Sequence, residues 1–253
     1  MTPFLNLAAY QFWPIQDPAS LRLRLLEAGE SLGIKGTILV TPEGLNAFLA
    51  GAEQSCREML AVLRAVPGFA SLEAKESWSS DIPFQRFKVK LKKEIIRMDH
   101  PTIRPAEGRA PAVDPVTLAR WLDQGHDDTG RPVVMLDTRN DFEVDFGKFN
   151  NTIDWRIQRF TQFPQAVQDH LDELQDKTVV SYCTGGIRCE KAAIYMQNLG
   201  LHNVLQLDGG ILKYFEQTDG RHWQGSCFVF DERQALEPNL TASKTSLALP
   251  SSS

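Results

Sequence analysis

Val179-Val180-Ser181-Tyr182-Cys183-Thr184-Gly185-Gly186-Ile187-Arg188-Cys189-Glu190-Lys191-Ala192-Ala193 decides how the second half of this chain folds. The apolar run ending at Tyr182 suits a buried strand, and the residues after Arg188 have the composition of a helix. Between them, Gly185 and Gly186 let the backbone curl so that successive amide N–H groups point at one spot, and the helix opening near Arg188 adds its positive end. Strand, anion-holding loop and helix together set Cys183 at the carboxyl end of a strand, where open sheets bind ligands.

A thiolate is the nucleophilic form of cysteine, and an ordinary thiol with a pKa of ~8.5 is only slightly ionised at neutrality. Positive surroundings lower that value to roughly 3.5–7.5, and converging amides with the Arg188 charge are such surroundings. The competing reading, a small buried hydrophobe closing a strand, needs neither paired glycines nor a following arginine. The nucleophile reading requires that the sulfur be ionised and not sealed from solvent.

Outward from this stretch, strands and helices alternate. Asp114-Pro115 caps a helix running to about Gln124, and Val133 to Leu136 is a continuous apolar run ending in Asp137-Thr138-Arg139. A helix near Pro164 to Leu174, the strand Thr178 to Tyr182, the helix Glu190 to Leu199 stopped by Gly200, and the strand Asn203 to Leu207 complete a predicted parallel sheet with helices on both faces.

The first hundred residues follow another pattern. An apolar strand over residues 4–13 precedes the cap Asp17-Pro18 and a helix up to Gly33. Gly36 to Thr41 and Leu45 to Ala50 form two strands about the turn Pro42-Glu43-Gly44. A helix from Glu53 to Val66 and a strand from Leu72 to Trp78 make the order βαββαβ, an α+β ferredoxin-like domain. Next, Arg86, Lys88, Lys90 and Lys92 alternate with Phe87, Val89 and Leu91, which places four positive charges on one strand face. From Arg86 to Arg109 eight lysines and arginines stand against three acids, a net +5. Two readings stay open, a phosphate-binding ladder for RNA and a solvated edge strand carrying lysine against aggregation. The expected boundaries are residues 1–99 for the first domain, a proline-rich linker at 100–113, the second domain at 114–220 and an extension at 221–253 that is mobile at its end.

The quoted motifs resemble those of a known family. Cys183 to Arg188 is similar to the six-residue active-site loop of rhodanese domains, Asp137-Thr138-Arg139 to their D-x-R strand end, and Leu207-Asp208-Gly209-Gly210-Ile211 to the segment after their last core strand. Where those domains commonly carry a glycine-histidine pair, this chain has Gly147-Lys148-Phe149. Three longer strings, Cys183 to Ala192, Gly209 to Glu216 and Cys227 to Arg233, resemble the TrhO-type oxygen-dependent tRNA uridine hydroxylases, and the likeness spans roughly residues 4 to 235. It implies an α/β rhodanese domain preceded by the ferredoxin-like one. It further implies hydroxylation of the wobble uridine of tRNA to 5-hydroxyuridine, with dioxygen as co-substrate and the anticodon region as the bound part. Cys183 would carry a persulfide or oxidised sulfur, stabilised by Arg188 and the amides of Thr184, Gly185, Gly186 and Ile187.

The remaining chemistry-bearing residues are less specific. Cys189 reads either as a packing residue or as a secondary thiol that resolves oxidised sulfur on Cys183. Cys227 with His222 and Asp231 is a weak metal pattern, and no metal is expected. Arg156 and Arg159 are candidates to face RNA. No flavin, haem, nicotinamide or iron motif is visible in the sequence.

With 42 % hydrophobic and 23 % charged residues in 253, the chain has globular material for two domains and no membrane-length apolar run. A net charge of −5 gives no bulk attraction to nucleic acid, so RNA must be held by a local patch. Four cysteines are too few for a disulfide framework, so a cytoplasmic protein with free thiols is expected, and no stable protein partner is evident. Beside the hydroxylase, three other functions are compatible with the loop: a thiosulfate-type sulfurtransferase acting on a small thiophile, an RNA- or protein-binding module, and a Cdc25-like phosphatase. The last is disfavoured because its loop is one residue longer.

Overall fold

The computed structural model describes residues 3–243, which divide into two compact units, Met1–Arg97 and Met98–Ser253. The first holds β1 (Phe4–Phe12), α1 (Pro18–Ser31), β2 (Lys35–Thr41), β3 (Gly44–Gly51), α2 (Glu53–Arg64), β4 (Ala74–Ser79) and β5 (Phe87–Leu91). Its sheet runs β4-β1-β3-β2-β5, antiparallel except that β5 lies parallel to β2. This is the expected βαββαβ arrangement with the basic strand added at an edge.

Local chemistry sets these boundaries. Asp17 accepts from the Ser20 amide at 3.0 Å and Pro18 opens α1, so a free helical N–H is satisfied where the helix begins. Cys56, Met59, Leu60 and Leu63 recur at helical spacing and give α2 a buried stripe against the sheet. Along β5 Val89 is buried while Lys88 and Lys90 are exposed. Arg86 O accepts from Gly36 and Lys92 N donates to Val40 O, each at 3.1 Å, so edge pairing continues to both flanking cations.

The second unit holds β6 (Ala112–Val113), α3 (Pro115–Gln124), β7 (Val133–Asp137), α4 (Asp141–Val144), β8 (Gly147–Phe149), α5 (Phe163–Asp169), β9 (Thr178–Tyr182), α6 (Ile187–Asn198), β10 (Val204–Leu207), α7 (Gly210–Gln217), β11 (Trp223–Gly225), β12 (Cys227–Phe228) and β13 (Ala235–Leu236). Its main sheet is parallel, in the order β6-β10-β9-β7. Leu118 and Trp121 of α3 and Ile211, Tyr214 and Phe215 of α7 pack with Val180, Tyr182 and Leu207 on one sheet face. Alternate residues of β9, Val179 and Ser181, point the other way, where α6 packs against β9 and β10 and α5 packs against α6.

Two boundaries differ from the sequence expectation. The stretch read as linker ends inside the sheet, because Ala112 and Val113 pair with Gln206 and Leu207 and the Gln206 side chain reaches Ala110 O at 3.0 Å. Proline content argued for a linker, but parallel pairing with a strand ninety residues away leaves no local signature. The extension after residue 220 is likewise built in: β11 pairs with β8, and Cys227 and Phe228 are buried. The low-complexity tail beyond Ser243 lies outside the described residues. No helix among the described residues is long and apolar enough to cross a membrane.

Candidate active site

Cys183 directly follows β9, and the loop after it closes into α6 at Ile187. Of the two glycines, only Gly186 has a left-handed backbone, with φ of 99°, and it is the residue that turns its N–H onto the Cys183 sulfur at 3.2 Å. Gly185 has no such conformation, and a Cβ placed there would meet nothing within 4 Å. The helix starts before Arg188, so the Arg188 amide also faces the sulfur.

A second helix N-terminus holds this loop in place. Gly209 and Gly210 are both left-handed, with φ of 69° and 68°, and start α7 so that the Ile211 amide donates to Cys183 O at 3.0 Å and the Leu212 amide to Thr184 O at 3.1 Å. A Cβ on Gly210 would lie 2.4 Å from Cys183 O. That contact explains physically why the Asp208-Gly-Gly-Ile motif belongs with the cysteine loop.

The sulfur is ionised by its surroundings. Burial alone raises a thiol pKa, yet that of Cys183 is drawn down to about 6, because burial is outweighed by a hydrogen bond from Cys189, the Arg188 charge and the amides of Arg188 and Gly186. The other buried cysteines go the opposite way. Burial pushes Cys56 up to about 11 and Cys227 up to about 12, and it raises Cys189 well above the usual thiol range. A protonated Cys189 thus acts as hydrogen-bond donor to the Cys183 thiolate, and Thr138 Oγ1 lies 3.8 Å from its sulfur.

One requirement of the sequence reading is not met. Cys183 is only 2 % exposed, so its sulfur is not open to solvent. It is not turned into the apolar core either, because the sulfur accepts from the loop amides. The loop whose amide stabilises the anion therefore also encloses it.

Arg188 has a partner that the sequence reading missed. Its guanidinium forks onto Glu143, with Nη2 to Oε2 at 2.8 Å and Nη1 to Oε1 at 3.2 Å, and both side chains are buried. Glu143 also accepts from the Asn140 amide at 3.1 Å, which fixes the first turn of α4. The Asp137-Thr138-Arg139 motif supports this region from below. Arg139 is clamped by Asp137, Nη2 to Oδ2 at 2.6 Å and Nε to Oδ1 at 3.0 Å, and donates to Glu143 O and Gly147 O. Thr138 Oγ1 donates to Tyr182 O at 2.9 Å, tying the ends of β7 and β9 together. A Cβ on Gly147 would lie 2.4 Å from Gln224 O, so glycine is required where β8 meets β11.

The remaining sequence candidates fall elsewhere. His222 binds Asp123 at 2.7 Å, Asp231 forks with Arg233, and Cys227 lies 3.9 Å from Thr184 Oγ1, so the three do not converge. Among the described residues no group of three histidines, cysteines and acids is placed to hold a metal ion. Arg156 is engaged by Asp145 at 2.8 Å and Asp154 at 3.4 Å, a local surface role, while Arg159 is exposed. Arg86, Lys88, Lys90 and Lys92 line the edge strand of the other unit.

Comparison with known proteins agrees with both halves. Residues 4–95 match the UPF0176 acylphosphatase like domain and residues 118–217 the Rhodanese-like domain. The chain is 62 % identical over 240 residues to a tRNA uridine(34) hydroxylase of Delftia acidovorans, covering 95 % of this chain and 91 % of that one. It is 61 % identical over 242 residues to the protein of the same name from Variovorax paradoxus, covering 96 % and 92 %. It is also 61 % identical over 236 residues to that of Bordetella avium, covering 93 % and 98 %. With its cysteine loop on a rhodanese-like sheet and this likeness along nearly its whole length, the chain belongs to the tRNA uridine(34) hydroxylase family.

Proposed function

We propose that this protein hydroxylates C5 of the wobble uridine of tRNA in the cytoplasm, using Cys183 as its reactive sulfur and dioxygen as co-substrate. The observation that carries the reading is the Cys183 thiolate, held by the Gly186 amide at 3.2 Å in a chain about three-fifths identical to tRNA uridine(34) hydroxylases over nearly its full length. Insertion of one oxygen atom into the C5–H bond releases the other as water. That balance draws two electrons and two protons from a thiol reductant, which leaves as a disulfide.

Within this scheme the amides of Gly186 and Arg188 and the Arg188 charge stabilise negative charge on sulfur carried by Cys183. Cys189 keeps its proton and donates it as a hydrogen bond, so its part is to hold the thiolate. Arg86, Lys88, Lys90 and Lys92 bind phosphates of the anticodon arm, a role supported by their exposure along one edge strand of an otherwise acidic chain. Nucleoside mass spectrometry of tRNA from cells lacking this protein is the test. Loss of 5-hydroxyuridine and its derivatives is expected, and an unchanged nucleoside profile overturns the reading.

A further inference from the structure

Phe230 stands apart from the other aromatic residues of its unit. It is 50 % exposed, whereas Phe228, two residues earlier in the same extended segment, is buried. The two rings meet edge to face at 4.9 Å and 89°. Phe228 is in turn wedged against Phe142 at 5.2 Å and Phe146 at 5.3 Å, so the exposed ring sits on an immobilised stack. The segment is tied to the cysteine loop by Thr184 Oγ1, which donates to Phe228 O at 3.3 Å. On the far side, Val229 N donates to Gln234 O at 2.8 Å and Asp231 forks with Arg233, which pins the turn that presents the ring. The Arg188 guanidinium, last residue of the sulfur's loop, lies 6.0 Å from the Phe230 ring centre.

A large aromatic ring left half in water contributes less to folding than a buried one, because about half of its apolar surface stays in solvent. Rigid backing, a half-exposed ring and a position beside the cysteine loop are what an unstacked base needs, since every base has a π-face and an enzyme acting on a base must hold it out of its stack. We propose that Phe230 is the platform on which the target pyrimidine stacks beside the Cys183 loop. This rests on the tRNA substrate proposed above and assigns a base-binding role to the Cys227 to Arg233 string, which the cysteine chemistry does not use.

Replacing the ring tests it in two ways. Phe230→Ala is expected to lower kcat/KM for tRNA about tenfold to a hundredfold, the worth of one base-aromatic stack, with Phe230→Trp restoring it and Phe230→Leu not. Alkylation of Cys183 by iodoacetamide is expected to proceed at the wild-type rate in all three. An unchanged kcat/KM in Phe230→Ala, full activity in Phe230→Leu, or a parallel change in alkylation rate would overturn the proposal. The second arm needs no turnover: the added fluorescence of Phe230→Trp should be quenched by an anticodon stem-loop RNA and much less by the same RNA abasic at the wobble position. Equal quenching by both RNAs overturns stacking, whereas absence of 5-hydroxyuridine with base-dependent quenching sinks the proposed reaction and leaves the platform standing.

Discussion

Glu143 holds Arg188 in a two-pronged ion pair, 2.8 and 3.2 Å, at the edge of the cysteine loop, so the loop's only cation is already matched by an anion. The Cys183 thiolate therefore does not rest on Arg188 alone, and the amides and Cys189 share the task. Removing the anion while keeping its shape should have two opposite effects. Glu143→Gln leaves the Arg188 charge uncompensated, which costs about 3 kcal/mol of stability and lowers the Cys183 pKa further. Thermal unfolding and thiolate absorbance near 240 nm measure the two, and a Cys183 pKa that rises would contradict this account of the loop.

Cys189 offers the reverse manipulation. Cys189→Ala removes the thiol donor and should raise the Cys183 pKa from about 6 toward the ordinary thiol value. In the wild type a depressed folded-state pKa means that the ionised form adds stability that is complete above the unfolded pKa of ~8.5 and is lost as pH falls through about 6. Activity that needs the thiolate should follow the same limb, rising through about pH 6 to a plateau, with the limb moved upward in Cys189→Ala. Coincident limbs in the two proteins would show that Cys189 is a packing residue only.

The three glycines around the sulfur are not equivalent. Gly186→Ala forces a side chain into a left-handed backbone, at roughly 1–2 kcal/mol, and turns the 3.2 Å amide away from the sulfur. Gly210→Ala drives a methyl to 2.4 Å from Cys183 O and should disable the loop outright. Gly185→Ala meets open space and should fold normally. The rate of Cys183 alkylation at pH 7, compared across the three variants, orders them; an inert Gly185→Ala beside a normal Gly186→Ala would reverse the assignment.

The sequence carried much of this and omitted identifiable parts. Asp17-Pro18 and Asp114-Pro115 announced two helices because caps and first-turn prolines act within one turn. The Cys183 loop was legible for the same reason, its glycines, cysteine and arginine being contiguous. Glu143 was not, since a glutamate in a short acidic helix has no signature until Arg188 arrives from 45 residues away. Nor was β6, whose pairing partner is β10. The paired-glycine argument was half right, with Gly186 left-handed and Gly185 not. The burial of the sulfur was missed because the same amides that stabilise the anion also surround it, and composition reports only the first effect.

The basic edge strand makes a separable claim. Reversing Lys88 and Lys90 to glutamate, both exposed, should raise KM for tRNA at least about tenfold and reduce the salt dependence of binding by about one ion per lysine. Cys183 alkylation should not change. Binding by fluorescence anisotropy at several salt concentrations checks this, and an unaltered slope would leave these lysines as guards of an exposed strand edge.

The most direct test of the central claim is tRNA hydroxylation by purified Cys183→Ser under oxygen with a thiol reductant. The serine keeps the loop's shape but carries no ionisable sulfur. Wild-type protein should convert the wobble uridine to 5-hydroxyuridine and Cys183→Ser should form none above the uncatalysed background. Product from the serine variant at the wild-type rate would remove the sulfur from the reaction and contradict the account.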